Sequence, residues 1–267
     1  MEKQKKISHH FSRHFSGVAR RYVSLRKTDP EPILFIKKKL QKLRHIRAAD
    51  VGCGAGRYDL LLFQHLGKPL RLLCIDSNKQ MLEHLRKYLV KNKVKNFQTK
   101  KASVESLPIK SNSLDCIFTF NAIHHFSLIK FLREAKRILK NNGYLFIYTR
   151  LRSQDKKNIW GKYFPLFNKK ELPERRLYEL DEFKKATKKI PKLMVQSTHL
   201  FKYKRIFDID KLTEQAKGHH YSTFSLYSKK EFKESLAGFK KNLQRHFRDL
   251  KNISWSIENV LLVIRKK

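Results

Sequence analysis

The chain has 267 residues, 40% of them hydrophobic, which is enough apolar material for an enzyme-sized core and too much for a disordered polymer. Its 61 Lys and Arg against 23 Asp and Glu leave a formal charge of +38, a surface that must attract polyanions such as RNA, DNA, anionic lipid or acidic small molecules. No run approaches the roughly 18 to 20 uninterrupted apolar residues of a membrane span, and the basic start lacks the apolar stretch of a secretory signal, so a cytoplasmic protein without a transmembrane segment is expected.

In chain order, residues 11–26 carry Phe11, Phe15, Val18, Ala19, Tyr22 and Val23 at helical spacing, and the Asp29-Pro30-Glu31-Pro32 segment breaks that helix before a second over about 33–42. From 46 to 149 short apolar runs alternate with amphipathic stretches, the pattern of βαβ units feeding a parallel sheet. Strands are expected over 46–51, 70–75, 97–102, 114–119 and 144–149, with helices over 58–66, 79–91 and 128–139 between them. Residues 151–250 are richer in charge and aromatics and less regular, with a strand expected over 198–207 and helices near 211–216 and 229–243. The last apolar run, 260–264, reads as a final edge strand. The expected organisation is an N-terminal helical segment (1–44), a core (45–150), and an insertion with the final strands (151–267).

Cys53, Cys74 and Cys116 fall in or near apolar runs without a CxxC, which suits free, buried thiols in a reducing compartment. The histidine pairs His9-His10, His124-His125 and His219-His220 are adjacent rather than one helical turn apart, so no metal site is expected.

The sharpest local signal is Ala48-Ala49-Asp50-Val51-Gly52-Cys53-Gly54-Ala55-Gly56, a strand entering a glycine-rich turn ahead of a helix. The chain has nine glycines and three of them sit in these five positions, so the clustering is not compositional. Glycine permits a sharp turn and close approach to a ligand at a helix N-terminus, but a tight strand-to-helix turn can also be purely structural. A second element sharpens the choice. Leu72-Leu73-Cys74-Ile75-Asp76 ends the next strand in an acid roughly 20 residues on, where a doubly wound sheet sets a carboxylate against ribose hydroxyls; alone, Asp76-Ser77 would serve equally as a helix cap. The spacing G-x-G-x-G followed by Arg57 and Tyr58 departs from the G-x-G-x-x-G of dinucleotide enzymes, and suits a ligand with an adenosine and an amino-acid tail but no phosphates.

The stretch Asp50 to Gly56 resembles the first motif of class I S-adenosylmethionine-dependent methyltransferases, in the type 11 or UbiE-like subgroup. Glu105-Ser106-Leu107-Pro108, Ser113 to Phe118, Asn121 to Phe126 and Leu139 to Leu145 resemble its later motifs, in order, so the likeness covers about residues 45–150. The resemblance implies a doubly wound, Rossmann-like α/β fold: a mostly parallel seven-stranded sheet with helices on both faces, an N-terminal lid helix, and a helical and aromatic insertion before the last strand. It implies S-adenosyl-L-methionine as methyl donor and S-adenosyl-L-homocysteine as product. Asp50, Gly52, Cys53 and Gly54 would surround the donor's methionine part, with Asn121 nearby. Asp76 would hold the ribose, Ser77 and Met81 would flank the adenine, and Ser103 and Val104 would lie at its edge. Many relatives carry Asp where this chain has Ser103, and a hydroxyl replaces only part of that carboxylate's hydrogen bonding. Tyr22 and Arg26, four residues apart on one helix face, resemble a lid over the donor carboxylate, although Tyr22 as core and Arg26 as a solvated charge would give the same pattern.

Methyl transfer from a sulfonium is an in-line displacement in which positioning and desolvation supply most of the barrier reduction. A weakly acidic acceptor would want a base, and His124 or His125 is the natural candidate, unless one of the pair packs beneath the site and shapes it. Acceptor choice is expected within 151–250 and at its entrance, with Arg150, Arg152, Trp160, His220 and Tyr221 as candidates, although Trp160 fits a cover over apolar surface equally well. A small-molecule acceptor is the leading expectation. An RNA (tRNA or rRNA) methyltransferase is the alternative that the charge suggests, but the basic residues are spread along the whole chain as in any lysine-rich proteome, and no RNA-binding module is appended. A non-catalytic S-adenosylmethionine-binding protein is the third. Oligomeric state is not legible.

Overall fold

The structure, a computed structural model, describes residues 27–171 and 177–267. The chain forms two compact units. One comprises Lys27–Thr149, Leu180–Phe201 and Val260–Lys267, and the other takes Arg150–Glu179 and Lys202–Asn259 among its residues.

In the first unit, helix α1 (Glu31–Leu40) opens on prolines, which need no amide partner there, and closes on Lys37, Lys38 and Lys39, whose charges oppose the helix dipole. Strands β1 (Ile46–Val51), β2 (Leu70–Asp76), β3 (Phe97–Lys101), β4 (Leu114–Phe120) and β5 (Leu139–Thr149) alternate with α2 (Arg57–Leu66), α3 (Lys79–Lys91) and α4 (Leu128–Ile138). Helix α4 buries Leu128, Phe131, Leu132, Ala135 and Ile138, a stripe at the three-four spacing that docks a helix on a sheet. Helix α8 (Leu180–Lys188) packs against α4. Strands β6 (Leu193–Phe207) and β7 (Ile253–Lys266) complete a seven-stranded sheet in the order β3-β2-β1-β4-β5-β7-β6. Pairings β3 to β2, β2 to β1, β1 to β4 and β4 to β5 are parallel, and β5 to β7 is antiparallel. The doubly wound, mostly parallel sheet expected from the motifs is therefore present.

Expectation and structure part at the last strand. The run 260–264 was expected at an edge, but β7 lies between β5 and β6. The physical reason is in its composition: Asn259 to Ile264 are all buried, as an interior strand covered on both faces requires. The edge belongs to β6, whose burial alternates residue by residue and which begins five positions earlier than expected. Strand β5 starts at Leu139 rather than Tyr144 because Leu139 pairs with Leu114 and Tyr144 with Cys116, so that Lys140 to Gly143 bulge out between the two pairs.

The loop after β3 is pinned from α4. Arg137 donates to the carbonyls of Leu107 at 2.9 Å and Ile109 at 2.7 Å, and pairs with Glu134 at 2.7 Å, whose carboxylate accepts the Leu107 amide at 2.8 Å. Arg137→Ala should lower stability by about 1 to 2 kcal/mol, the scale of charged hydrogen bonds discounted for partial exposure, seen as a lower urea midpoint at unchanged slope. A midpoint equal to wild type would show that the loop is held by other contacts.

The second unit holds α5 (Arg152–Asp155), α6 (Ile159–Tyr163), α7 (Phe167–Glu171), α9 (Ile209–Lys217) and α10 (Lys229–His246). Its core is mainly aromatic: Trp160, Phe164, Phe167, Phe224, Tyr227 and Phe239 with Leu212 and Leu243. Helix α10 starts with a capping box, in which Ser228 accepts the Glu231 amide and Glu231 accepts the Ser228 amide. Among the described residues, no helix is long and apolar enough to cross a membrane.

Candidate functional site

The glycine turn leaves β1 with φ of +77° at Gly52, +57° at Gly54 and +83° at Gly56, a left-handed path that side chains with a Cβ rarely take. Gly52 is constrained twice, since a Cβ there would stand 2.5 Å from the Ala122 Cβ and 2.9 Å from the Phe126 ring. The segment after β4 is thus packed directly on the turn. The turn is also stitched to the end of β2: the amides of Gly52 and Cys53 donate to the Ile75 carbonyl at 2.8 and 3.1 Å, and the Gly54 amide donates to Asp76 Oδ2 at 2.9 Å. Strand order reverses at β1, with β2 on one side and β4 on the other, so the carboxyl ends of these three strands meet at the switch point where open α/β sheets bind ligands.

Asp76 is therefore held against the glycine turn. Its other oxygen accepts the Asn78 amide at 2.8 Å, and the Ser77 amide adds a third bond. Burial nonetheless raises its pKa above the usual carboxylate value, against the opposing pull of these amides. The cap of α3 is Asn78 rather than Ser77, with its side chain accepting the Met81 amide at 3.0 Å. Ser77 is exposed and Met81 buried. After β3, exposed Ser103 uses its hydroxyl to accept the Glu105 amide at 3.3 Å, and Val104 is half-buried.

Asn121 follows β4 with φ of +53°, a conformation that Asn tolerates better than most residues, and its amide donates to the Tyr148 carbonyl at 2.7 Å. His124 and His125 lie in a short 3-10 turn (Ile123–His125), half-buried, with ring centroids 4.1 Å apart. Tyr22 and Arg26 lie outside the described residues.

Beneath the turn is a group that sequence reasoning missed in part. Asp50 near the end of β1 and Asp59 in the first turn of α2 are both buried, and their carboxyl groups lie close enough to act on one another. Cys74 donates to Asp59 Oδ1 at 3.2 Å, and the Cys53 thiol lies beside Cys74. Burial, then the Asp59 and Asp76 charges, push Asp50 well above the carboxylate range, while burial raises Asp59 to about 7. Burial also raises Cys53, and lifts Cys74 to about 12, which keeps both thiols protonated and unreactive. The signal for Asp59 was a charge beside Tyr58 and Leu62 on a helix whose neighbouring positions are apolar.

Four of the five acceptor-side candidates come together within the second unit. Arg150 pairs through Nε with Asp155 at 2.7 Å, donates to the Tyr221 hydroxyl at 2.8 Å and lies over the Tyr221 ring at 4.6 Å. Tyr221 is 4.2 Å from His220 and His220 4.9 Å from Trp160, measured between ring centroids. His220 Nδ1 lies 2.9 Å from the Gln215 carbonyl, which can only accept, so this nitrogen carries the proton. Trp160 is 2% exposed and stacks on Phe239 at 5.0 Å. Arg152 donates to the Leu177 carbonyl at 3.0 Å.

Residues 49–147 match the family model of a methyltransferase domain, and this stretch is a class I methyltransferase domain of type 11. An uncharacterized protein of Methanocaldococcus jannaschii is 29% identical over 117 residues, covering 44% of this chain and 46% of that protein. The ubiquinone biosynthesis O-methyltransferase of Pelagibacter ubique is 30% identical over 140 residues, covering 48% of this chain and 56% of that one. The chain thus spans about half the length of these curated relatives. Among solved structures, the YcgJ protein of Bacillus subtilis superposes with a TM-score of 0.62 at 18% identity, over 89% of this chain and 98% of that one, a likeness of fold.

Proposed function

We propose that the chain is an S-adenosylmethionine-dependent methyltransferase whose acceptor is a small molecule. The observation that carries this reading is the Asp76 carboxylate bonded across to Gly54, which puts an acid of the ribose-holding kind beside a turn open to close approach. Asp50, Gly52, Cys53, Gly54 and Asn121 would hold the methionine end, Asp76 the ribose hydroxyls, Ser77 and Met81 the adenine faces, and Ser103 with Val104 its edge. Tyr22 and Arg26 would cover the donor carboxylate. The donor supplies an electrophilic methyl group on a sulfonium; the residues here bind, orient and exclude water, which is most of what an in-line displacement needs.

His124 or His125 is the base we assign for an acceptor hydroxyl or weakly acidic carbon. Acceptor selection is assigned to Arg150, Arg152, Trp160, His220 and Tyr221. The small-molecule reading draws support from the relative named for ubiquinone biosynthesis. The charge of +38 favours RNA as the second reading.

Methyl-labelled donor incubated with the protein and fractionated cell extract separates these readings. Label is expected in small metabolites. Label in RNA, with binding that weakens steeply as salt rises, would replace the acceptor class, and donor binding without any transfer of label would leave a non-catalytic binding protein.

A further inference from the structure

Asp59 is fully buried, so it cannot touch a bound donor, yet it lies among residues that would. Cys74 donates to Asp59 Oδ1 at 3.2 Å, and Asp50 and Cys53 lie close enough for their charge and polarity to act on this group. Asp50, Cys53 and Cys74 thus gather around Asp59 beneath the glycine turn. Two oxygens of the pair, Asp50 Oδ1 and Asp59 Oδ2, are buried and accept no hydrogen bond. Leaving such acceptors empty is costly for an ionised carboxylate and much less so for a protonated one.

Among the described residues, the groups that face Asp59 add no compensating cation. From β1 comes Asp50, from β2 Cys74 and Asp76, and from the turn Cys53. Helix α3 meets the turn with Leu85, against Gly56. On its own helix, Arg57 donates to the Lys27 carbonyl at 2.8 Å and lies over the Tyr58 ring at 4.8 Å. Three carboxyl groups so placed, with no cation among them, cannot all ionise until positive charge is brought in.

We propose that Asp59 is a positioning residue of the donor site, and that the carboxyl pair it forms with Asp50 gives up a proton to solvent when the ammonium end of the donor arrives. The proposal rests on the donor reading above, which sets the methionine part beside Asp50. One carboxyl O–H bond is broken, the proton passes to buffer, and the new carboxylate charge is balanced by the incoming ammonium. Asp59 holds this proton in the free protein up to a pH of about 7. Below that value binding must expel it and affinity rises with pH; above it the proton has already left and affinity levels off.

Calorimetry of the full chain with S-adenosylhomocysteine tests this. Kd should tighten by about eightfold between pH 6 and pH 7.5, and close to half a proton should be released at pH 7 in buffers of different ionisation enthalpy. In Asp59→Asn both the slope in this window and the released proton should vanish. Infrared difference spectra of the unmutated protein should lose a protonated-carboxyl C=O band on binding, which separates a carboxyl from the nearby histidines without any substitution. Binding with no pH slope, a slope that persists in Asp59→Asn, or no change in the carboxyl band would each overturn this proposal and leave the donor reading standing. No binding at any pH would overturn the donor reading and this proposal with it.

Discussion

Asp76→Ala is expected to weaken binding of S-adenosylhomocysteine by about 1 to 3 kcal/mol, roughly five- to 150-fold, the scale of a lost charged hydrogen bond. The carboxylate has two jobs, and the substitution removes both. It ties the glycine turn to the head of α3 by accepting the Gly54 amide at 2.9 Å and the Asn78 amide at 2.8 Å, and its remaining lone pairs are the acceptors offered to ribose hydroxyls. Loss of the tie alone would lower thermal stability, since amides at the turn then lack their acceptor. Asp76→Asn keeps one oxygen to accept from the turn or from the head of α3, but its NH2 then faces the other backbone donor, so one tie is lost and the ribose is offered fewer acceptors. Calorimetry should therefore rank affinity as wild type, then Asn, then Ala, with the melting temperature of Asn between those of wild type and Ala. An Ala variant that melts lower but binds with undiminished affinity would confine Asp76 to a structural role.

The part of this site that could be read from sequence is the part where chemistry and backbone geometry demand the same residue. Gly52 is legible because a left-handed φ and contact with Ala122 and Phe126 both exclude a Cβ, and Asp76 because it ends a strand at a fixed distance from the turn. Strand and helix positions from 46 to 149 followed from apolar periodicity, since each central strand is covered on both faces and each helix on one. Asp59 was not legible, because its meaning lies in Asp50 and Cys74 being its neighbours across the fold rather than along the chain. The order of β6 and β7 was hidden for a related reason: an apolar run announces burial, but which strand lies inside depends on long-range pairing. Asp115 illustrates the converse. It belongs to a motif that resembles the family's, yet it accepts the Arg47 amide at 2.8 Å and Lys140 Nζ at 2.6 Å at the amino end of β4, the opposite end of that strand from Asn121. There it acts as a structural tie.

Trp160→Ala is expected to cost about 3 to 5 kcal/mol of stability, the usual penalty for emptying a large aromatic site that cannot collapse. Asn158 starts this segment by accepting the amides of Trp160 at 2.7 Å and Gly161 at 3.0 Å, and its own side-chain amide is bonded to Asp155 at 2.8 Å. The indole so oriented stacks on Phe239 at 5.0 Å, meets Phe224 edge-on at 5.4 Å and touches His220 at 4.9 Å. It is thus the hub joining α6, α10 and the turn that carries Tyr221. Because Asp155 also pairs with Arg150 at 2.7 Å, a cavity at Trp160 should loosen the Arg150 and Tyr221 network through shared supports rather than through direct contact. Trp160→Phe keeps most of the ring area and should lose far less. Denaturant unfolding of the three proteins checks the ranking. If Trp160→Ala instead kept wild-type stability and changed only acceptor affinity, Trp160 would belong to the acceptor site and not to the core beneath it.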